Sequence, residues 1–433
     1  MKKLTLIICS VCSTLLSAQL QFDSFDRLMN YADGHSVSIK TSVIQNDIQN
    51  SKLKESKAYL YPSIASQYGF TDYLDIQPTL VPSSALDPIA PDDTWQKVRF
   101  GKEYYYSIGF HANWDILNFQ KKFAAQTSKI EAEASKANID RTRYNTYNQL
   151  ASVYYSIILN QESIKIYEEN VKVFSDLLQI AQDRYDSGII GEPDLNRAKI
   201  QDLENRKALN SANSSLDQLY AQLQSQLNTN EEIQITEKAE FLGTDILDFS
   251  NTHPEIRFRE IETGVYESQL KQAKSARYPV ISFQYQKGFN WAGEKFMDFS
   301  NLSNLSHQMV GFKISMQLFD GFARKTGIRS AEQLLDIQKL ELENTKLSIQ
   351  KQDEILRMQY DQSYENLEKS QQILDLQTSN DHHSENKYNS GIIGLDQRLD
   401  NYEDLLDAQS RYLQNLSDFI LAQYKVNLRK INF

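Results

Sequence analysis

The sequence predicts a mostly helical chain that also carries membrane-spanning β-strands and is built from one unit present twice. The duplication is visible where Tyr185-Asp-Ser-Gly-Ile-Ile-Gly191 recurs as Tyr388-Asn-Ser-Gly-Ile-Ile-Gly394. Long stretches without proline or glycine indicate the helices, and stretches of alternating apolar and polar residues indicate the strands. Each unit is therefore predicted to contain a helix, a pair of strands and a long helical hairpin.

The N-terminus predicts export of the chain. Lys2 and Lys3 precede an apolar run from Leu4 to Leu16, and the small residues Ser17-Ala18 follow it. This layout is typical of a secretory signal peptide cleaved after Ala18. The alternative, a membrane anchor, is weaker because a spanning helix needs about 20 apolar residues. We therefore predict residues 1–18 as a signal peptide.

Composition excludes several classes of function. The 433 residues carry a net charge of −11, with 40% hydrophobic and 11% aromatic residues, which is typical of a folded chain. Both cysteines, Cys9 and Cys12, lie in the predicted signal peptide, so the mature chain would contain no thiol. Such an acidic chain is not expected to bind nucleic acid.

Residue patterns that support catalysis or metal binding do not occur. Phosphate-binding glycine loops, GxSxG and HExxH are absent from the sequence. His382 and His383 are adjacent, but neighbouring side chains on a helix point about 100° apart and do not chelate one metal together. The sequence therefore predicts no catalytic residue, no cofactor and no metal site, and we do not expect an enzyme.

The clearest predicted strand runs from Tyr104 to Ile116. Its even positions are apolar, with Tyr, Ile, Phe, Ala and Trp, whereas its odd positions are mainly Ser, Gly, His, Asn and Asp. The same alternation appears at residues 281–291 and 310–318, and more weakly at 64–75. Each run has about the 9 to 11 residues that a tilted strand needs to cross a bilayer.

Two interpretations of these strands are open. A water-soluble antiparallel sheet packed on helices would show the same alternation, but the export signal and the aromatic residues on the apolar faces favour contact with lipid. Four strands leave two open edges, which hydrocarbon does not tolerate because the edge amides would be unpaired. The chain must then oligomerise: two copies would form a small filled barrel, and three a 12-stranded barrel with a lumen.

The helices are predicted from two long segments without proline or glycine, Gln120 to Tyr185 and Lys339 to Tyr388. The first would be roughly 100 Å long and carries apolar residues at alternating spacings of three and four, which indicates a coiled-coil seam. The seam of the second is more polar and suits a hydrated interior or a lateral contact. Helices resume at residues 193–227 and 395–430, so each turn forms a helical hairpin.

These elements define the predicted domains. The signal peptide is followed by a first repeat at residues 19–228, with a helix, two strands and a hairpin. A linker or equatorial segment at 229–250 shows little periodicity, and the second repeat occupies 251–433.

Four glycines are predicted to form the turns of the two hairpins. Gly188 and Gly391 would supply the positive φ that ends a helix, and Gly191 and Gly394 would allow the chain to reverse.

The order of these parts resembles the TolC-type outer-membrane efflux family over nearly the whole mature chain. The resemblance also rests on short motifs in both repeats. These are Tyr61-Pro62 and Tyr278-Pro279 before the strands, Trp114–Phe119 and Gln317-Leu-Phe-Asp-Gly-Phe322 after them, Tyr185-x-x-Gly188-x5-Asp194-Leu195-x2-Ala198 at the first turn, and Leu399-Asp400 with Leu405-Leu406-Asp407-Ala408 after the second.

The resemblance implies a homotrimer whose 12-stranded barrel lies in the outer membrane and continues as a periplasmic α-helical barrel. The helix tips would close the passage and meet a periplasmic adaptor protein, which connects to an inner-membrane pump. The implied function is an exit duct for tripartite efflux or type I secretion. The remaining alternative from another class is a secreted structural coiled-coil protein with a soluble β-sheet.

The resemblance also implies a gate at the tips, made in the family by Tyr, Arg and two Asp residues of the second repeat. Tyr388 and Asp400 match two of these, whereas Ile393 and Gln397 stand where the family has Arg and the earlier Asp. We expect the neighbours Asp396 and Arg398 as substitutes and do not expect the same latch.

Two carboxylates of the tip have two interpretations each. Asp194 either belongs to the gate or stabilises the start of its helix, and Asp400 is a candidate for a ring of three carboxylates. Such a ring would repel anions and make conduction through the closed channel sensitive to divalent cations.

Overall fold

The computed structural model describes residues 20–91, 93–238, 249 and 252–431. The predicted signal peptide and residues 239–248 of the predicted linker lie outside the described residues. In chain order, the described strands and helices are β1 (Leu20–Phe22), α1 (Phe25–His35), α2 (Val37–Ser56), β2 (Ser63–Asp72), β3 (Thr79–Pro82), β4 (Trp95–Val98), β5 (Tyr104–Leu117), α3 (Phe119–Asp186), α4 (Glu192–Leu227), β6 (Ile233–Ile235), α5 (Pro254–Ser275), β7 (Val280–Gly293), β8 (Ser303–Asn304), β9 (His307–Ser315), α6 (Ala323–Asn389) and α7 (Leu395–Lys430).

The chain divides into two compact units. The helical unit comprises Met1–Asp47, Ala134–Glu260 and Glu341–Phe433, and the sheet unit comprises Ile48–Glu133 and Ile261–Leu340. Each unit thus contains segments of both sequence repeats.

The sheet unit is built on four long strands in the order β2-β5-β7-β9, and each is antiparallel to its neighbours. The short β8 also pairs with β7, beside Trp291. All four predicted strands are therefore present. Among the described residues, β2 and β9 each have a partner strand on one side only, so the sheet is open at both edges.

The alternation predicted from the sequence places apolar residues on one face of this sheet. Their side chains are exposed in the single chain: Ile64 is 76% exposed, Phe312 72% and Ile314 70%. The register puts Tyr68, Ile108 and Phe289 side by side on this face. An apolar face that the described residues leave exposed in this way suits contact with lipid or with another protein surface.

Two strand predictions were too long at their C-terminal ends. The run 64–75 was expected to continue to Asp75, but β2 ends at Asp72. The run 310–318 was expected to continue to Leu318, but β9 ends at Ser315. The chain leaves the sheet there because Arg324 donates from Nη2 to the carbonyl oxygen of Gln317 at 2.7 Å, and Gly321 then turns the chain with φ of +64°.

The predicted helices are confirmed almost residue for residue at three of their four positions. The segment Gln120 to Tyr185 lies in α3, and the returning helices α4 and α7 match the predicted ranges within one residue. The exception is α6, which begins at Ala323 rather than Lys339 and includes Gly327. Within the described part of the chain, none of the helices combines the length and hydropathy needed to cross a membrane.

The helical unit has a core that includes two very short strands. β1 pairs with β6 in parallel, with Leu20 opposite Ile233 and Phe22 opposite Ile235. These residues pack with the buried residues of α1, α3 and α4, including Leu28 and Ile157. The predicted linker thus contains a strand, which a three-residue run is too short to reveal by periodicity.

Candidate functional site

The predicted tip lies in the helical unit, where α3 turns into α4 and α6 turns into α7. Gly188 and Gly391 have φ of +70° and +73°, as predicted. At each turn a backbone N–H closes the helix end: Ile189 donates to the carbonyl oxygen of Arg184, and Ile392 to that of Lys387, both at 2.8 Å. The left-handed backbone explains both glycines, because no other atom lies within 4 Å of a Cβ placed on either.

The other two glycines begin the returning helices in an extended conformation. Gly191 and Gly394 are the N-caps of α4 and α7, with φ of −85° and −77°. The backbone N–H of Gly191 donates to Oδ2 of Asp194 at 3.3 Å. Asp194 therefore stabilises the start of α4, which is the simpler of its two interpretations.

An apolar cluster holds the four helix ends together. Its largest fully buried members are Phe174 of α3, Tyr388 of α6 and Leu399 of α7, and Leu195 and Ala198 of α4 join them. Phe174 meets the ring of Tyr402 edge-on at 5.3 Å between centroids. This packing fixes the polar residues that surround the cluster.

A basic residue of the first repeat binds two acids of the second. Nη1 of Arg197, on α4, lies 3.2 Å from Oδ1 of Asp396. Nη2 of the same side chain donates a hydrogen bond to Oδ1 of Asp400 and forms an ion pair with it. The two acids are four residues apart on α7 and so share one face of that helix. Partial burial lowers the pKa of Arg197, but Asp400 and then Asp396 outweigh it, so the pKa is raised overall.

A second polar contact lies one turn further along the same helices. The Gln201 side-chain amide donates to Oε1 of Glu403. Burial raises the pKa of Glu403, Arg197 lowers it, and Asp400 raises it again. Together these residues form what we call the tip ladder: Arg197 and Gln201 of α4 with Asp396, Asp400 and Glu403 of α7.

Arg398 has a different partner. Its side chain is 5% exposed and forms an ion pair with Asp381 of α6, inside the second hairpin. Asp396 and Arg398 therefore have different partners, because residues two apart on a helix point to different sides. Asp396 faces the first repeat, whereas Arg398 faces its own hairpin.

Tyr388 is buried, although Tyr185 at the equivalent position of the first repeat is exposed. The exposed fraction is 2% for Tyr388 and 39% for Tyr185. The guanidinium of Arg184 lies 4.4 Å from the centroid of the Tyr388 ring, and burial raises the pKa of Tyr388. No described residue forms a hydrogen bond with its hydroxyl.

The structure thus brings together Asp396 and Asp400 of the predicted gate and separates Arg398, Asp194 and Tyr388 from them. Arg197, Asp381 and the ladder residues Gln201 and Glu403 were missed by sequence reasoning. The partners of Arg197 follow it by about 200 residues, and no local pattern marks them. Among the described residues, no cluster of three His, Cys, Asp or Glu could hold a metal ion. What the tip offers is an ionic contact between two helices, from Arg197 to Asp396 and Asp400.

Comparison with known proteins gives one family match. A family model described as outer membrane efflux protein matches residues 91–229 and 249–432, which is most of the chain. No curated protein sequence matches significantly.

Solved structures resemble the fold over almost its full length. VceC, an outer membrane protein of Vibrio cholerae, matches with a TM-score of 0.75 and 15% identity, covering 94% of this chain and 95% of its own. The CmeC outer membrane channel of Campylobacter jejuni matches with a TM-score of 0.73 and 14% identity, covering 94% and 85%. The outer-membrane channel OprN gives 0.75 and 16%, covering 93% and 89%. At these identities the likeness establishes the fold alone.

Proposed function

Because the chain belongs to the outer membrane efflux protein family, we propose that three copies assemble into one passage whose tip is held closed by the tip ladder. Family membership itself makes the chain an outer-membrane exit duct of a tripartite efflux system, with a large periplasmic helical part. Members of this family are conduits and not enzymes. The secreted structural protein considered above is thereby excluded.

Assembly is supported by the open edges of the sheet. The outer sides of β2 and β9 have no partner among the described strands, and an unpaired backbone amide in hydrocarbon costs several kcal/mol. Edge-to-edge pairing of three copies would close a barrel of twelve long strands. It would also place the exposed apolar face, including Ile64 and Phe312, against lipid.

The helical unit offers a second surface for assembly. Large apolar side chains are exposed at intervals along α6. They include Leu347 at 56%, Ile355 at 51%, Met358 at 65% and Leu376 at 67%. At about 100° per residue these four positions fall on one side of the helix, which suits packing against a neighbouring helix of another copy.

The observation that carries the proposed gate is the bond between the two repeats at the tip. Arg197 joins α4 to α7 through Asp396 and Asp400. These acids are more than half exposed, at 55% and 60%, and exposed ion pairs contribute only about 0–1 kcal/mol. Such a contact is weak enough to be released when a partner protein displaces α7.

The test is single-channel conductance in planar lipid bilayers. Replacing Arg197 by Ala removes the bond between α4 and α7, so conductance or open probability should rise. Arg206→Ala is the matched control. It removes the same charge from α4, but Arg206 pairs with Asp202 of its own helix and not with α7. Equal traces for wild type and Arg197→Ala would exclude the ladder as a gate.

The role of the acidic residue Asp400 in the gate is tested separately. Asp400→Ala should raise conductance or weaken block by divalent cations, since three copies would place three carboxylates around the constriction. Asp407→Ala is the control, because Asp407 is 77% exposed and pairs only with Arg411 within α7 among the described contacts. Unchanged conductance and unchanged block in Asp400→Ala would remove Asp400 from the gate.

Family membership implies a periplasmic adaptor and an inner-membrane pump as partners. We assign the adaptor to the two turns, where Ile189 and Ile392 are 70% and 71% exposed. Both belong to the duplicated Ser-Gly-Ile-Ile-Gly sequence, so the two hairpins offer the same apolar contact. Ile189→Asp with Ile392→Asp should abolish adaptor capture in a pull-down while leaving conductance in bilayers intact. Unaltered capture would place the adaptor elsewhere.

A further inference from the structure

Two histidines lie on the polar face of the sheet, which the gate does not use. His111 belongs to β5 and His307 begins β9, and both occupy the face that carries Ser107, Asn113 and Gln284. The strand between them, β7, is directly paired with both.

A pair of glycines lets both imidazoles lie at the same level of the sheet. Gly109 of β5 is directly opposite Gly288 of β7. The ring of His307 lies over Gly288, where a Cβ would be 2.9 Å from both ring nitrogens, and Nε2 of His111 would be 3.2 Å from a Cβ on Gly109. Directly paired positions have Cβ atoms about 4.5–5.5 Å apart. The rings therefore occupy neighbouring spaces that side chains would otherwise fill.

His111 and His307 have few polar contacts with the described residues, and those of His307 are long. No described residue forms a hydrogen bond with His111, and the contacts of His307 are with the amide nitrogens of Gln286 and Asn290, both at 3.4 Å. The nearest acid along β5, Asp115, is engaged by Lys121 at 2.7 Å and by Ser282 at 2.8 Å. Metal binding would replace one of these long contacts of His307 by a bond to the ion, and the other ring nitrogen would donate to an acceptor such as water.

We propose that His111 and His307 of one chain bind a divalent transition-metal ion such as Zn²⁺ on the polar face of the sheet. Neutral imidazole is a common ligand for Zn²⁺, Ni²⁺ and Cu²⁺. Two imidazoles would supply two positions and water the others, which makes this an exchangeable site rather than a closed structural one. Because Gly109 and Gly288 are directly paired, the two rings lie over neighbouring positions of the sheet.

Metal binding requires one chain only, whereas the exposure of the site to the solution inside the duct rests on the proposed function. In the trimeric assembly the polar face lines the lumen, so three such sites would face the permeating solution. A metal ion held there would place positive charge in the passage and reduce the current carried by cations.

The experiment is calorimetric titration of detergent-solubilised, tag-free protein with ZnCl₂ at pH 7.5. Wild type is expected to bind about one Zn²⁺ per chain. His111→Gln and His307→Gln should each weaken binding at least about tenfold, because even the loss of a second-shell partner costs about 10–100-fold. His382→Gln with His383→Gln is the matched control, since it removes two imidazoles from α6, and it should bind Zn²⁺ as wild type does.

A second set of variants moves the ring without removing a ligand. Gly288→Ala should weaken binding because its Cβ would displace His307. Gly311→Ala is the control on the same face of β9, where no atom lies within 4 Å of the new Cβ.

Equal affinity in wild type and His111→Gln, or loss of binding in the His382 and His383 double variant, would overturn the metal site. Each variant is also recorded in planar bilayers without Zn²⁺. A channel that conducts normally but binds no Zn²⁺ rejects this site alone, whereas a chain that binds Zn²⁺ but forms no channel rejects the proposed function alone.

Discussion

His253 is a buried imidazole whose neutral form the fold requires. It is 7% exposed, its Nδ1 accepts a hydrogen bond from the backbone N–H of Glu255 at 3.1 Å, and its ring meets Tyr144 edge-on at 4.5 Å. Burial, and then the charge of Arg429, lower the pKa of His253 to about 4. Near pH 6, His253 of the folded chain therefore stays neutral, whereas the same residue of an unfolded chain binds a proton.

This shift predicts a loss of stability in acid. An unfolded histidine titrates near 6.5, so the free energy of unfolding keeps the full contribution of His253 above that pH and loses it as the pH falls from about 6.5 to about 4. The loss is on the order of 3 kcal/mol per chain. Urea unfolding of His253→Gln should show a smaller decrease between pH 7 and pH 4.5 than wild type. Equal decreases would contradict the assignment.

The turn glycines are expected to differ in how much an alanine substitution lowers the free energy of unfolding. Gly391 has φ of +73° and Gly394 has φ of −77°, and neither has a neighbouring atom within 4 Å of an added Cβ. Gly391→Ala should therefore lower the free energy of unfolding by about 1–2 kcal/mol, whereas Gly394→Ala should change it little. Urea unfolding measures both, and equal effects would show that backbone conformation is not the cause.

Among elements, the second hairpin is joined internally by a buried ion pair. Arg398 of α7 and Asp381 of α6 are 5% and 15% exposed, and removing one member of a buried pair costs about 3–5 kcal/mol because the other is left uncompensated. Arg398→Ala should lower the midpoint of urea unfolding strongly. Arg411→Ala, whose ion pair with Asp407 is largely exposed, should stay within about 0.5 kcal/mol of wild type. A small effect at Arg398 would mean that water reaches the pair.

The contrast between Arg398 and Arg197 shows what the sequence can and cannot predict about the site. Local backbone geometry was predictable, because a glycine that ends a helix leaves a positional signal at Gly188 and Gly391. The partners of the charged residues were not, because Arg197 meets Asp396 and Asp400 only when α4 and α7 pack together. Arg398 was assigned to its sequence neighbour for the same reason.

Elements of different length were also unequally predictable. The long helices were found because a segment such as Gln120 to Tyr185 leaves no residue that could end one. The start of α6 was placed too late at Lys339, although residues 328–338 also contain neither proline nor glycine. The helix even includes Gly327, which costs only about 1 kcal/mol inside a helix. Three-residue strands such as Ile233–Ile235 form through tertiary pairing with Leu20–Phe22 and leave no periodic pattern of their own.

For the whole molecule, the decisive property is that one face of the sheet is apolar and the other polar on every long strand. Phe312 of β9 lies on the apolar face, opposite Phe283, and is 72% exposed in the single chain. Its sequence neighbour Gly311 lies on the polar face, opposite Gln284. Two adjacent positions should therefore respond in opposite ways to the same charged side chain.

Phe312→Lys should prevent assembly in the outer membrane, because a lysine facing lipid costs about 2–4 kcal/mol near the bilayer centre and each trimer would contain three. Gly311→Lys should assemble normally, since its charge would face water in the lumen. Outer-membrane fractions run unheated and heated on SDS gels report the trimer as a band that heat converts to monomer. Equal trimer yields from the two variants would show that lipid does not contact the apolar face, and the proposed barrel would then have to be abandoned.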